Sequence, residues 1–166
     1  MRAVLSSLAL IAVVGCGADP PVATTLTVTP KEALLVSLGE TVLLTVQIGD
    51  QYGDPMVGEA VTWASDRSGI ATVSGGTVTA VANGTAVVTA TVGQLTGTAT
   101  VAVAQRARTV FVTPDRVLLG PPGEEAQMTF EALDSRGNVI EQPSATWTSA
   151  DPAVATVSDG GLVTSV

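Results

Sequence analysis

The sequence has no histidine and a single cysteine, Cys16, in 166 residues. These scarcities exclude a histidine general base, a histidine or multi-cysteine metal site, and any disulfide within the chain. Basic residues are also few. Seven Lys and Arg stand against 15 Asp and Glu, for a net charge of −8. Phosphate backbones are held by clustered Lys and Arg, and anionic lipid by polybasic segments, so nucleic acid is not an expected partner and electrostatic adhesion to lipid is disfavoured. The acidity reads as a solubility feature. Aromatic residues make up 3% of a chain that is 46% hydrophobic. The apolar content is therefore mostly Val, Ala and Leu, with much Thr beside it, and β-branched residues fit a pleated, half-buried surface. With 17 Gly and 9 Pro between them, many short strands are expected. The length allows one or two domains.

The first residues read MRAVLSSLALIAVVGCG. One positive charge, Arg2, precedes an apolar run over residues 3–14 that is too short to cross a bilayer as a helix. Charge, short apolar core and small residues are the layout of a secretory signal. Val13-Val14-Gly15-Cys16 resembles the bacterial lipobox. That resemblance implies cleavage before Cys16 and diacylglyceryl attachment to its thiol. Two or more acyl chains would anchor the protein without a transmembrane helix. The alternative is a plain secretory peptide with an incidental cysteine, although an odd cysteine in a secreted protein asks for a reason. The expectation is a lipoprotein signal peptide over 1–15 and a tether over 16–24, semi-extended by Pro20 and Pro21. The protein would sit in a bacterial cell envelope, its membrane contact made through Cys16. Gly17 after the cysteine, by the sorting rule of that family in enteric bacteria, points outward to the outer membrane or cell surface.

The mature region is a tandem duplication. TLTVTPKEALLVSLGE at residues 25–40 returns as TVFVTPDRVLLGPPGE at 109–124, a shift of 84. At the same shift Asp50 falls on Asp134, Gly53 on Gly137, Trp63 on Trp147, and ATVS at 71–74 on ATVS at 155–158. GGTVTAV at 75–81 matches GGLVTSV at 160–166 after one inserted residue, Asp159. Fixed-period self-similarity marks a repeated structural unit.

Each copy reads as strands. Val42, Leu44, Val46 and Ile48 alternate with Thr41, Leu43, Thr45 and Gln47, and the copy gives Ala126, Met128, Phe130 and Ala132 against Glu125, Gln127, Thr129 and Glu131. Period two with one apolar face predicts a half-buried strand. The segments GDQYGDPM and DSRGNV place Asp and Gly where a hairpin needs positive φ or a capped turn. Pro30 and Pro114 fall at the end of each first strand, where a missing N–H is tolerated. Seven or so short strands in a unit of roughly 80 residues predict an immunoglobulin-like sandwich. Trp63 and Trp147, equivalent in the two copies and set among alternating apolar residues, are expected to be core.

The elements Val28-Thr29-Pro30, Gly39-Glu40, Asp50 with Gly53, Val61-Thr62-Trp63, Ala71-Thr72-Val73-Ser74, Gly76-Thr77-Val78-Thr79 and Ala82-Asn83-Gly84-Thr85-Ala86 resemble a bacterial Ig-like domain of group 2, the kind found in intimin- and invasin-type adhesins. The resemblance covers nearly all of 25–104 and again 109 to the last residue. It implies an all-β chain of tandem immunoglobulin-like β-sandwiches: a first domain over 25–104, a linker over 105–108, and a second domain over 109–166. The first copy runs 23 residues beyond its TVTAV, and these should form its last two strands; the second copy has no such residues. The second domain is therefore expected to be incomplete at its C-terminal side, either because the reading frame or fragment is cut short or because a second molecule donates the strands.

The resemblance implies a surface stalk or an adhesion and interaction module, without catalysis or cofactor, with a surface protein or glycan as the kind of ligand. The alternative is a carbohydrate-binding or spacer region of a longer secreted enzyme. Tyr52, in the Asp50–Asp54 turn, is the candidate binding aromatic, and its counterpart is Arg136. Asp50, Asp54 and Glu59 contain oxygen ligands, but their spacing matches no EF-hand loop, so no metal site is expected. Asp66 and Asp151 are read as turn caps. Ser65 and Ser149 have no histidine to activate them. The basic linker AQRAR sets the angle between the domains or forms a protease-sensitive joint.

Overall fold

The computed structural model describes residues 19–166. Cys16 and the expected signal peptide lie outside the described residues. Within them every regular element is a strand.

The first unit contains β1 (Ala23–Thr29), β2 (Glu32–Leu35), β3 (Thr41–Leu43), β4 (Thr45–Asp50), β5 (Pro55–Met56), β6 (Thr62–Ser65), β7 (Ala71–Ser74), β8 (Thr77–Ala80), β9 (Gly84–Val92) and β10 (Leu95–Val103). Three ladders form: β1-β4-β5, β3-β8-β7 and β2-β10-β9-β6. All pairs are antiparallel except β2 with β10. The run over residues 41–48, expected to be one strand, is broken at Leu44. Its first half pairs with β8 and its second half with β1. At the break the Leu44 N–H donates to Gly76 O at 2.8 Å. The alternation survives because the side chains keep facing one core while the backbone changes partner.

The two strands expected from residues 82–104 are β9 and β10. They supply half of the buried apolar side chains of the first unit, among them Ala86, Val88, Ala90 and Val101. They also approach closely. A Cβ on Gly97 would lie 2.5 Å from Leu26 Cδ2 and 2.9 Å from Val28 Cγ2, so glycine lets β10 pack against β1.

The second unit contains β11 (Thr109–Thr113), β12 (Glu125–Gln127), β13 (Thr129–Leu133), β14 (Ala155–Val157) and β15 (Leu162–Ser165). Its ladders β11-β13 and β12-β15-β14 repeat β1-β4 and β3-β8-β7. Met128 repeats the break of Leu44, donating to Gly161 O at 2.9 Å. Both Thr-Pro bonds, Thr29–Pro30 and Thr113–Pro114, are cis. Among the described residues the second unit has no counterpart of β9 or β10. Of the buried apolar residues among those described, only Ala132 belongs to it. The described residues are thus all-β and form two immunoglobulin-like sandwiches in tandem, the second without, among these residues, one of the strand pairs that face the core in the first.

Candidate functional site

Three places carry chemistry that packing alone does not use up: the Asp turns, the uncovered face of the second unit, and the junction between the units.

The two Asp turns share one geometry. Asp50 Oδ1 accepts the N–H groups of Tyr52 (2.8 Å) and Asp54 (2.9 Å). Asp134 Oδ1 accepts those of Arg136 (2.9 Å) and Asn138 (3.0 Å). Each turn has a glycine at positive φ, Gly53 at 86° and Gly137 at 82°, the conformation that favours glycine there. Tyr52 projects from the first turn and is 58% exposed. Residues of the expected tether meet this turn: the Val22 N–H donates to Gln51 Oε1 at 2.7 Å, and Gln51 Nε2 donates to Pro20 O at 3.0 Å.

Trp63 and Trp147 are both half-buried. Trp63 packs against the core of the first unit. Trp147 lies edge-on to Phe130, ring centroids 6.1 Å apart. Each ring also lies over a glycine at positive φ. A Cβ on Gly76 would come within 3.3 Å of Trp63, and one on Gly161 within 3.1 Å of Trp147. Asp151 caps its own turn through the Ala153 N–H at 3.1 Å. Asp66 differs from the turn cap expected of it: its Oδ1 accepts the Val87 N–H at 2.7 Å. The first unit has β9 beside that residue, so the carboxylate ties two strands together. No group of three His, Cys, Asp or Glu is gathered for a metal among the described residues.

The uncovered face lies where β9 and β10 sit in the first unit. Val112 is 39% exposed, whereas its counterpart Val28 is 2% exposed. Clefts open over the second core. One of ≈560 Å³ is lined by residues including Val117, Leu119, Val154 and Val163. Another of ≈240 Å³ lies between Met128, Trp147, Ala155 and Val163.

At the junction, Asp134 is buried, 2% exposed, and so is Ser37, 1% exposed. Asp134 Oδ2 accepts the Leu38 N–H at 3.0 Å and Gln105 Nε2 at 3.1 Å. Asn138 Nδ2 donates to Leu38 O at 3.1 Å and to both Asp134 oxygens at 3.2 Å. The Ser37 and Ser135 hydroxyls are 2.6 Å apart. Gln105 Nε2 also donates to Val139 O at 3.2 Å, and its backbone N–H to Asn83 Oδ1 at 2.8 Å. Burial by itself would raise the Asp134 carboxyl. The Gln105 amide and the N–H groups of Asn138, Leu38 and Arg136 outweigh it and hold the carboxyl well below the usual carboxylate range.

This cluster is invisible in what the two copies share. The available signal was the opposite one, the places where matched motifs diverge: Ser37-Leu38 against Pro121-Pro122, and Asp54 against Asn138.

The family model for the bacterial Ig-like domain (group 2) matches residues 22–103. No curated protein matches the chain. Among solved structures, domains 4 and 5 of the S-layer protein SbsC are 29% identical over 51% of this chain and 54% of that one, with a TM-score of 0.47. The Escherichia coli adhesin FdeC is 16% identical over 89% of this chain and 56% of its own, TM-score 0.41. The Yersinia pseudotuberculosis adhesin InvE is 18% identical over 84% and 50%, TM-score 0.37. The chain thus spans about half the length of each of these three structures.

Proposed function

We propose, on the premise that residues 22–103 belong to the bacterial Ig-like domain family of group 2, that the chain works at a bacterial cell surface as a stalk or interaction module held to the membrane by lipid on Cys16. The observation that carries this reading is the continuous, braced path from one sandwich to the next. Ala104 donates its N–H to Leu35 O at 2.9 Å, Arg106 to Val36 O at 3.0 Å, and Arg108 to Leu133 O at 2.7 Å. A linker bonded to both sandwiches transmits position, and position is what a stalk supplies. Contact with a surface protein or a glycan would come from exposed loops and open sheet edges.

The anchor is tested by Cys16→Ser in cells. The expected result is release from the membrane fraction and loss of the lipid mass; unchanged partition and mass would sink the anchor. The surface location is tested by adding protease to intact cells expressing the unaltered chain: digestion supports it, and survival until the cells are broken open overturns it.

A second reading, a carbohydrate-binding or spacer region of a longer secreted enzyme, is favoured by one observation, the exposed Tyr52 ring on a capped turn. Glycan-array binding by the whole chain that disappears with Tyr52→Ala would support it; binding indifferent to that change would remove Tyr52 from consideration.

A further inference from the structure

We propose that the junction is a directional plug-and-socket joint. The Asp134–Asn138 turn is the plug. The Ser37-Leu38 loop, with Gln105, is the socket. Together they fix the orientation of the second unit on the first, and neither remaining end of the pair can make the same joint with another unit of this kind.

The two Asp turns share more than the capping bonds. Asp50 N–H donates to Asp54 O and Gly53 N–H to Asp50 O at 2.9 and 3.1 Å. Asp134 N–H donates to Asn138 O and Gly137 N–H to Asp134 O at the same distances. In both turns Oδ1 is consumed locally. In the second, Oδ2 reaches across the junction to Leu38 and Gln105. A shared turn has thus been given a second task by what faces it.

That task depends on residues that the duplication does not repeat. The plug needs the amide of Asn138, which donates to Leu38 O. The first unit has Asp54 there, and a carboxylate cannot donate. The socket needs the Leu38 N–H and the Ser37 hydroxyl. The second unit has Pro122 and Pro121 in those places, and proline has no N–H. The loop is otherwise built alike. Glu40 Oε2 accepts the Val36 and Ser37 N–H groups in one unit, and Glu124 Oε2 accepts the Gly120 N–H in the other. Only one orientation of the pair therefore places donors opposite acceptors.

The joint is also cooperative. Asp134 is shielded from water in the closed arrangement, so each missing donor leaves part of a buried carboxylate unsatisfied. Among the described residues no buried side-chain polar atom lacks a partner. A joint that is complete in this way holds one angle.

The inference deepens the stalk reading, but its test is separate from the tests of anchor and surface location. Residual dipolar couplings are measured on the whole chain, and trypsin cleavage is followed at Arg106 and Arg108. Two variants replace a residue with its counterpart from the other copy, so each is already accommodated in an equivalent turn or loop: Asn138→Asp and Leu38→Pro. Asp54→Asn is the control, since it gives the first unit a plug-like residue with no socket opposite.

The unaltered chain should show one alignment tensor shared by both units and slow cleavage. Asn138→Asp and Leu38→Pro should each split the tensor in two and raise cleavage by at least ~10-fold, with the amide spectra within each unit retained. Asp54→Asn should change neither. Two independent tensors in the unaltered chain, or a single tensor and unchanged cleavage in both variants, would overturn the joint.

Discussion

EALL at residues 32–35 is β2, but RVLL at 116–119 forms no strand; TWAS at 62–65 is β6, but TWTS at 146–149 forms none. These pairs occupy equivalent places in two copies of one unit. β2 exists because β10 supplies its ladder, and β6 because β9 does. Burial follows the same rule. Val28 and Val112 stand opposite Val46 and Phe130 in matching ladders, yet only Val28 is covered. A strand in a sandwich is defined as much by the layer facing it as by its own residues.

That comparison can be tested most strongly by supplying the missing layer. Grafting a copy of residues 82–104 after Val166 should draw residues 116–119 and 146–149 into ladders. Stabilisation of the second unit on the order of 5 kcal/mol is expected from the apolar area removed from water. Hydrogen exchange and urea unfolding check it, and unprotected amides at those eight positions would count against it. Next in size is a charge placed at the equivalent valines. Val28→Asp should cost about 4 kcal/mol by burying an unpaired carboxylate, and Val112→Asp about 1 kcal/mol because its site meets water. Equal losses in thermal unfolding would mean that the second face is covered after all.

A smaller contrast concerns the glycines under the tryptophans. Gly76→Ala forces a Cβ to 2.6 Å from Leu44 O in a residue at φ 84°, with an expected loss of about 3 kcal/mol. Gly161→Ala meets the same carbonyl distance from Met128, but Trp147 borders an open cleft and can yield, so about 2 kcal/mol is expected. The smallest effect is the pH dependence of the junction. The Asp134 carboxyl is held low by its donors, so its contribution is complete above the ordinary carboxylate value near ~4 and is lost as the pH falls below that toward its folded value. Glu40 caps the same loop. Dipolar couplings recorded from about pH 6 down to about pH 2 should show the shared tensor splitting only at the acid end, and Asp134→Asn should split it throughout.

Much of the fold was legible in one chain because the chain contains its own comparison. The alternation over residues 41–48 survived duplication as a pattern of burial, and the Asp-Gly segments became the capped turns. The break at Leu44 was not legible, since alternation records which side a residue faces and not which strand its backbone joins. Asp66 illustrates the same limit. Like Asp151 it sits just after a tryptophan, but it falls one residue earlier in the repeat, opposite Ala150, and β9 gives its carboxylate a strand to hold. The junction was hidden more deeply, because its donors and acceptors lie 96 to 100 residues apart in Leu38, Asp134 and Asn138.

Composition, period and repetition were sufficient for an all-β chain, two related units, their turns and the side of each strand that turns inward, because all of these depend on neighbours close in sequence or on the repeat itself. Which strands exist, which valine is dry, and what Asp134 does with its second oxygen were settled only when distant segments met. Ladders, desolvation and donor–acceptor pairing are properties of the surfaces in contact, and two nearly identical stretches acquire different structures when they face different neighbours.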